Sequence, residues 1–236
     1  MMVKEFITAF REAFGEGAQL PLVFWYSDQA MGDDKARSGC LFKYLSVART
    51  GKVVSMSADT IVCPGGKLYT GFGPMPPYVP QFVSLKERYK RTPDDVIAYI
   101  ESLELEAATG HYLNFARVDC VESFDNVEGV FFYATPDMLA GLCTWAYFDN
   151  NDEQAVASIF GSGCSSVISL ARRENRRGGR SCFLGGFDPS VRPYFRANEL
   201  SFVVPASRWG EMLGTMRQSC LYDTHAWSVV KKRIVR

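Results

Sequence analysis

Cys63-Pro-Gly-Gly-Lys-Leu-Tyr-Thr-Gly-Phe-Gly-Pro-Met-Pro-Pro-Tyr78 and Cys182-Phe-Leu-Gly-Gly-Phe-Asp-Pro-Ser-Val-Arg-Pro-Tyr194 are two versions of one pattern. Both carry a cysteine, a glycine pair, Gly-Phe-x-Pro and a closing Pro-Tyr, about half a chain apart. Around them the match widens in the same order. Leu22-Val-Phe-Trp-Tyr26 parallels Gly129-Val-Phe-Phe-Tyr133, and Ser38-Gly39-Cys40 recurs as Ser162-Gly163-Cys164. Leu45-Ser-Val-Ala-Arg49 is echoed by Ile168-Ser-Leu-Ala-Arg172. The pattern predicts an internal duplication: an α+β fold, one compact unit of two similar α/β-type lobes, about 20–105 and 111–216. Such lobes share one sheet or pack face to face about a pseudo-twofold axis.

A chain of 236 residues with 47% hydrophobic and 22% charged content has the composition of an ordinary globular protein with a sizeable core. Lys+Arg and Asp+Glu balance at 26 each, so no overall field recruits nucleic acid or an anionic membrane. Residues 1–15 have amphipathic helix spacing and not the apolar run of a signal peptide. The most apolar window, 129–148, is broken by Thr135-Pro136-Asp137, which ends a strand and caps a helix. These features predict a soluble, cytoplasmic protein. Seven cysteines, an odd number, argue for free thiols over a secreted disulfide framework.

The run 20–26 reads as a strand covered on both faces. Helices are expected over 4–15, 41–49, 93–105, from 136 to about 147, over 152–160, from about 206 to 216, and from 224. Strands are expected over 52–57, 111–121 and 199–204, and a loop over 27–35. Pro74, Pro76, Pro77 and Pro80 predict an extended surface loop after the first glycine-rich turn.

Cys40 and Cys164 open predicted helices. There a helix N-terminus favours thiolate, although a small residue packed beneath a cap explains the same tripeptide. Cys63 precedes Gly65 and Gly66, whose bare backbone offers N–H donors to a ligand or simply makes a tight turn. Cys40, Cys63 and Cys164 are therefore candidate metal ligands, and an iron–sulfur cluster with an open or non-cysteine fourth position is one outcome. Cys120, Cys143 and Cys220 read as core packing. Asp188 and Arg192 lie between prolines in a fixed loop, placed for ligand contact or for an ion pair with each other. Arg172, Arg173, Arg176, Arg177 and Arg180 are either a solvated helix end or a clamp for an anion. No Gly-x-Ser-x-Gly elbow, P-loop or dinucleotide fingerprint is present, and nothing places His111 or His225 beside a cysteine.

Gly39-Cys40 before a helix ending Ala48-Arg49-x-Gly51-Lys52, then Cys63-Pro-Gly-Gly with Gly71-Phe72 behind it, resemble the uncharacterised DUF169 proteins of bacteria and archaea. Gly163-Cys164-Ser165, Asp188-Pro189-Ser190-x-Arg192 and Glu199-Leu200-Ser201-Phe202 to Pro205 extend the resemblance over nearly the whole chain. It implies a cytoplasmic prokaryotic protein, often from anaerobes, with Cys40, Cys63 and Cys164 as the positions of interest. The expected ligand-binding set is thus Cys40, Cys63, Gly65, Gly66, Cys164, Ser165, Asp188 and Arg192, between the lobes. It would serve a small anionic ligand or a metal cluster. The alternatives are an enzyme with one activated cysteine nucleophile, of transferase or hydrolase type, and a regulatory or structural homodimer with inert thiols.

Overall fold

The computed structural model describes residues 1–32 and 39–234. Ser38 and part of the loop expected over 27–35 lie outside the described residues. The strands are β1 (Leu22–Ser27), β2 (Val54–Met56), β3 (Tyr112–Arg117), β4 (Gly129–Ala134), β5 (Val156–Ala157), β6 (Cys182–Gly185) and β7 (Leu200–Pro205). They form one sheet in the order β2-β3-β1-β4-β7-β6-β5, antiparallel except between β5 and β6.

Successive side chains of a strand point to opposite faces, so a strand apolar at every position needs cover on both. On one face Leu22, Phe24, Phe131 and Val203 join Phe42 and Leu45 of α2 (Leu41–Ala48). The same core takes Val96 of α5 (Pro93–Ser102) and Leu170 of α7 (Leu170–Arg177). On the other, Val23, Val130, Phe132 and Phe202 meet α1 (Val3–Phe14), α6 (Pro136–Tyr147), α8 (Ala206–Thr215) and α9 (His225–Ile234). The apolar stripe of α1 supplies Phe6, Phe10 and Phe14 at helical spacing. Phe10 stacks on Phe14 at 4.7 Å between ring centroids, and Phe6 meets Trp209 edge-on at 5.0 Å. No helix of the described residues is long and apolar enough to cross a membrane.

The central pairing is reciprocal. Val23 faces Val130, Leu22 faces Phe131 and Phe24 faces Gly129, so aligning Leu22–Tyr26 with 129–133 maps each pair onto its own partner. The flanking ladders repeat this relation: Leu22↔Arg117 and Tyr26↔Leu113 on one side, Gly129↔Pro205 and Tyr133↔Ser201 on the other. Met56 faces Leu113 just as Gly185 faces Ser201. The order β2-β3-β1 is therefore mirrored by β6-β7-β4, with β5 added at one edge. The halves are not separate bodies; they share a sheet. Gly71 and Gly186 of the repeated Gly-Phe-x-Pro both turn the chain through left-handed backbone, at φ 79° and 84°.

Three segments depart most from expectation. The helix expected over 152–160 is a turn followed by β5. The side chains of Asn150 and Asp152 accept the N–H groups of Asp152 and Gln154, a local alternative to helical bonding, and Val156-Ala157 then pairs with β6. Cys63-Pro-Gly-Gly is not a tight turn but the start of α3 (Pro64–Tyr69). Pro64 sits at the first helical position, where its missing N–H costs nothing. The proline-rich segment is likewise only partly extended, because it closes into α4 (Val79–Gln81) and a π-helical turn, Phe82–Lys86. A second π turn, Ser165–Ser169, leads into α7.

A candidate site lined by both halves of the chain

Gly39 bridges Ile61 in parallel, and its N–H donates to the Thr60 carbonyl at 3.2 Å. That pairing sets Cys40, the cap of α2, beside Cys63, the cap of α3. Cys164 lies in the first helical turn before the Ser165–Ser169 π segment. Charge on Cys40, Cys63 or Asp188 acts directly on Cys164, so the three thiols and this carboxylate occupy one neighbourhood. The expectation of stabilised thiolates is corrected for two of them. Burial pushes the Cys40 thiol up, outweighing the N–H groups of Phe42 and Lys43 that act in the expected direction. Burial also pushes Cys164 well up, helped by the charges around it. Among the described residues no group of three His, Cys, Asp or Glu side chains is placed to hold a metal ion. Proximity of the thiols is met; a metal-ligand arrangement is not.

Beside this cluster opens a cavity of about 430 Å³. Six aromatic side chains wall it: Tyr69, Tyr78, Phe82, Tyr89, Tyr99 and Phe160. Cys63 and Gly65 come from the first half, and Ser162, Asp188 and Ser190 from the second. Of the eight expected ligand residues, Cys63, Gly65 and Asp188 line it. Gly66 does not; it lies against Ile61, where an added Cβ would stand 2.8 Å from that side chain. Cys40 and Cys164 are outside the lining. Ser165 sits behind it, its hydroxyl 2.6 Å from that of Tyr99.

Asp188 is 5% exposed and fixed by two backbone donors, Gly163 N–H and Ser190 N–H, each at 2.9 Å. The first ties the loop after β6 to the start of the Cys164 helix. Gly163 is needed there, because a Cβ would meet Val191 at 2.7 Å and Phe42 at 2.8 Å. The expected ion pair between Asp188 and Arg192 is not formed. Arg192 donates instead to the carbonyls of Gly186, Glu199, Arg196 and Ala197, closing a loop from within. It acts as a structural clamp and does not line the cavity.

The arginine-rich stretch is also structural. Arg172 donates to the carbonyls of Glu106 and Ala107, Arg173 to that of Ser102, and Arg176 and Arg177 pair with Glu104. Together they pin residues 102–107 to α7. His111 pairs with Asp28 on the surface, and His225 opens α9, so neither histidine reaches the cavity.

Motif reasoning missed the aromatic wall. Its signal was present: Tyr69, Phe72, Tyr78, Phe82, Tyr89 and Tyr99 crowd a stretch whose prolines deny it a long regular element. Burial pushes up the phenols of Tyr69, Tyr89 and Tyr99, and the Asp188 charge adds to the rise at all three. Tyr69, Tyr89 and Tyr99 are thus held as neutral phenols. The lining carries Asp188 and Glu87 against one cation, Lys90, a balance that does not favour an anionic occupant.

No curated protein and no solved structure matches the chain. A family model, described as uncharacterised ArCR, matches residues 22–215 of the 236. With that span covered, the chain belongs to the DUF169 family.

Proposed function

We propose that this protein binds a small, largely apolar molecule in the aromatic cavity, with the Cys63 thiol on its wall. One observation carries the reading: a cleft of about 430 Å³ walled by six aromatic side chains, with both halves of the chain contributing. Ligand sites are concave, mostly apolar and sparingly polar, and they favour the junction of structural units. The two π turns beside the site, Phe82–Lys86 and Ser165–Ser169, fit the same reading, since such turns recur at functional positions.

The test is a titration with an environment-sensitive apolar dye, on the wild type and on Gly65→Trp. A Cβ at Gly65 would meet the Tyr69 ring and Cys63 Sγ only at ordinary contact distances, 3.6 and 3.9 Å, so the indole enters the cavity without straining the backbone. Saturable binding in the wild type, lost in a folded Gly65→Trp, is expected. Equal binding by both proteins would contradict the proposal.

A second reading is favoured by the placement of Cys63, which alone among the seven cysteines lines the cavity. A bound electrophile there would meet a thiol, the arrangement of a cysteine nucleophile. A covalent adduct on Cys63 after incubation with a cavity-sized electrophile, absent in Gly65→Trp, would select it.

We also infer that the halves, about 20–105 and 111–216, are repeats of one ancestral unit. The reciprocal pairing of Val23 with Val130 supports this, as do the matched backbone turns at Gly71 and Gly186. In a crystal structure, a rotation placing β1-β2-β3 on β4-β6-β7 should bring Tyr26 onto Tyr133. If it brings Tyr26 elsewhere, the inference fails.

A further inference from the structure

We infer that the cavity selects organic cations: a substituted ammonium group carried on an apolar body. The inference rests on the reading of the cavity as the ligand site and adds the charge of what enters it. Four observations converge.

The first is the wall. The faces of phenol and phenyl rings carry negative electrostatic potential, and several rings around one space make the environment that recognises alkylated ammonium groups. Tyr69, Tyr78, Phe82, Tyr89, Tyr99 and Phe160 surround this one. The second is Asp188. Its carboxylate is 5% exposed and is held by two backbone N–H dipoles, and no ion pair neutralises it among the described residues. A buried charge satisfied by dipoles alone still projects its field into the neighbouring low-dielectric space. Glu87 adds a second carboxylate to the lining.

The third is the reach of that field. The Asp188 charge acts on Tyr69, Tyr89, Tyr99, Cys40 and Cys164, disfavouring negative charge at each. The same field attracts a cation. The fourth is a cation already seated at the wall. The Lys90 ammonium lies 5.1 Å from the centroid of the Tyr99 ring. A ligand ammonium would take a neighbouring ring face, or this one if the flexible lysine swings out to solvent.

A matched set of probes tests this on the wild-type protein: benzyltrimethylammonium, phenylacetamide and phenylacetate, with affinities from ligand-observed NMR titrations. Gly65→Trp serves as the blocked control. The inference expects the cation to bind at least about tenfold more tightly than the neutral amide, with the anion weakest. It expects Tyr99→Leu to reduce that preference and Gly65→Trp to remove binding of all three. Equal affinity for the three probes, abolished by Gly65→Trp, would overturn the charge selection and leave the cavity as the ligand site. No binding by any probe, or binding indifferent to Gly65→Trp, would overturn both.

Discussion

Two arginines occupy matched stations in the two halves and cross to the opposite half. Arg49 lies over the Tyr133 ring at 4.4 Å, and Arg172 over the Tyr26 ring at 4.8 Å. Here the likeness ends. Arg49 grips the carboxylate of Glu199 through both guanidinium arms, at 2.5 and 2.8 Å, with Glu199 only 3% exposed. Arg172 donates mainly to the carbonyls of Glu106 and Ala107, while the Glu106 carboxylate stands 3.8 Å away and half open to water. Arg49 thus reaches across through a buried charge pair, and Arg172 mainly through carbonyl dipoles. Similar local sequence goes with an arginine over a matching ring in each half, but its anchor is set by what the neighbouring loop presents.

The largest effect should come from breaking the buried pair. Arg49→Met leaves Glu199 buried with only the Arg196 N–H and the exposed Arg196 side chain beside it, and should cost about 3–5 kcal/mol in denaturant unfolding. Arg172→Met should cost less, about 1–3 kcal/mol, because it orphans carbonyls and no buried charge. Equal losses would erase the distinction.

Acid sharpens the same contrast. Burial works against an ionised Glu199, but the Arg49 hydrogen bonds, the Arg196 N–H and the two arginine charges hold its carboxyl below the ordinary range. A carboxyl lowered in the folded state stabilises the fold above its unfolded pKa, about 4.3, and loses that contribution as pH falls through the folded value. Stability should therefore drop on acidification below about 4.3. In Glu199→Gln that part of the pH dependence should vanish, whereas Arg172→Met should retain it. An unchanged acid slope in Glu199→Gln would contradict the assignment.

The three clustered thiols bring a smaller and more specific expectation. With Cys164 buried and no three-ligand arrangement among the described residues, anaerobically purified protein should carry no stoichiometric iron that is lost in Cys63→Ser. Iron at one cluster per chain, with broad absorbance abolished by Cys63→Ser, would restore the metal reading.

Much of this architecture was legible in the residues. The continuous apolar run at Leu22–Tyr26 announced an interior strand, and Thr92-Pro93-Asp94-Asp95 announced a helix start. There the Thr92 hydroxyl accepts the Asp95 N–H while the Asp95 carboxylate accepts that of Thr92. The paired motifs left open whether the two halves share a sheet or pack face to face; the strands of both lie in one sheet. Local signals misled at Asp152–Phe160, where side chains capture the N–H groups a helix would use, and at Cys63-Pro-Gly-Gly, where glycines hid a helix.

The site was half legible. Cys63 and Gly65, read from the glycine-rich turn, and Asp188, read from the loop between prolines, line the cavity, whereas Arg192 of the same loop donates to four carbonyls. Motifs could not supply the aromatic wall, because it is assembled from residues 69–99 and 160, brought together only by the closure of α4 and α5 against the second half.

The most direct test of the central claim is the reactivity of each thiol toward iodoacetamide under native conditions, mapped by mass spectrometry on the wild type and Gly65→Trp. The cavity account predicts that Cys63 is modified while buried Cys164 and Cys182 stay unmodified, and that filling the cavity at Gly65 slows Cys63 alone. If Cys63 reacts no faster than Cys164, or if its rate is the same in Gly65→Trp, the thiol does not face an open cavity and the account fails.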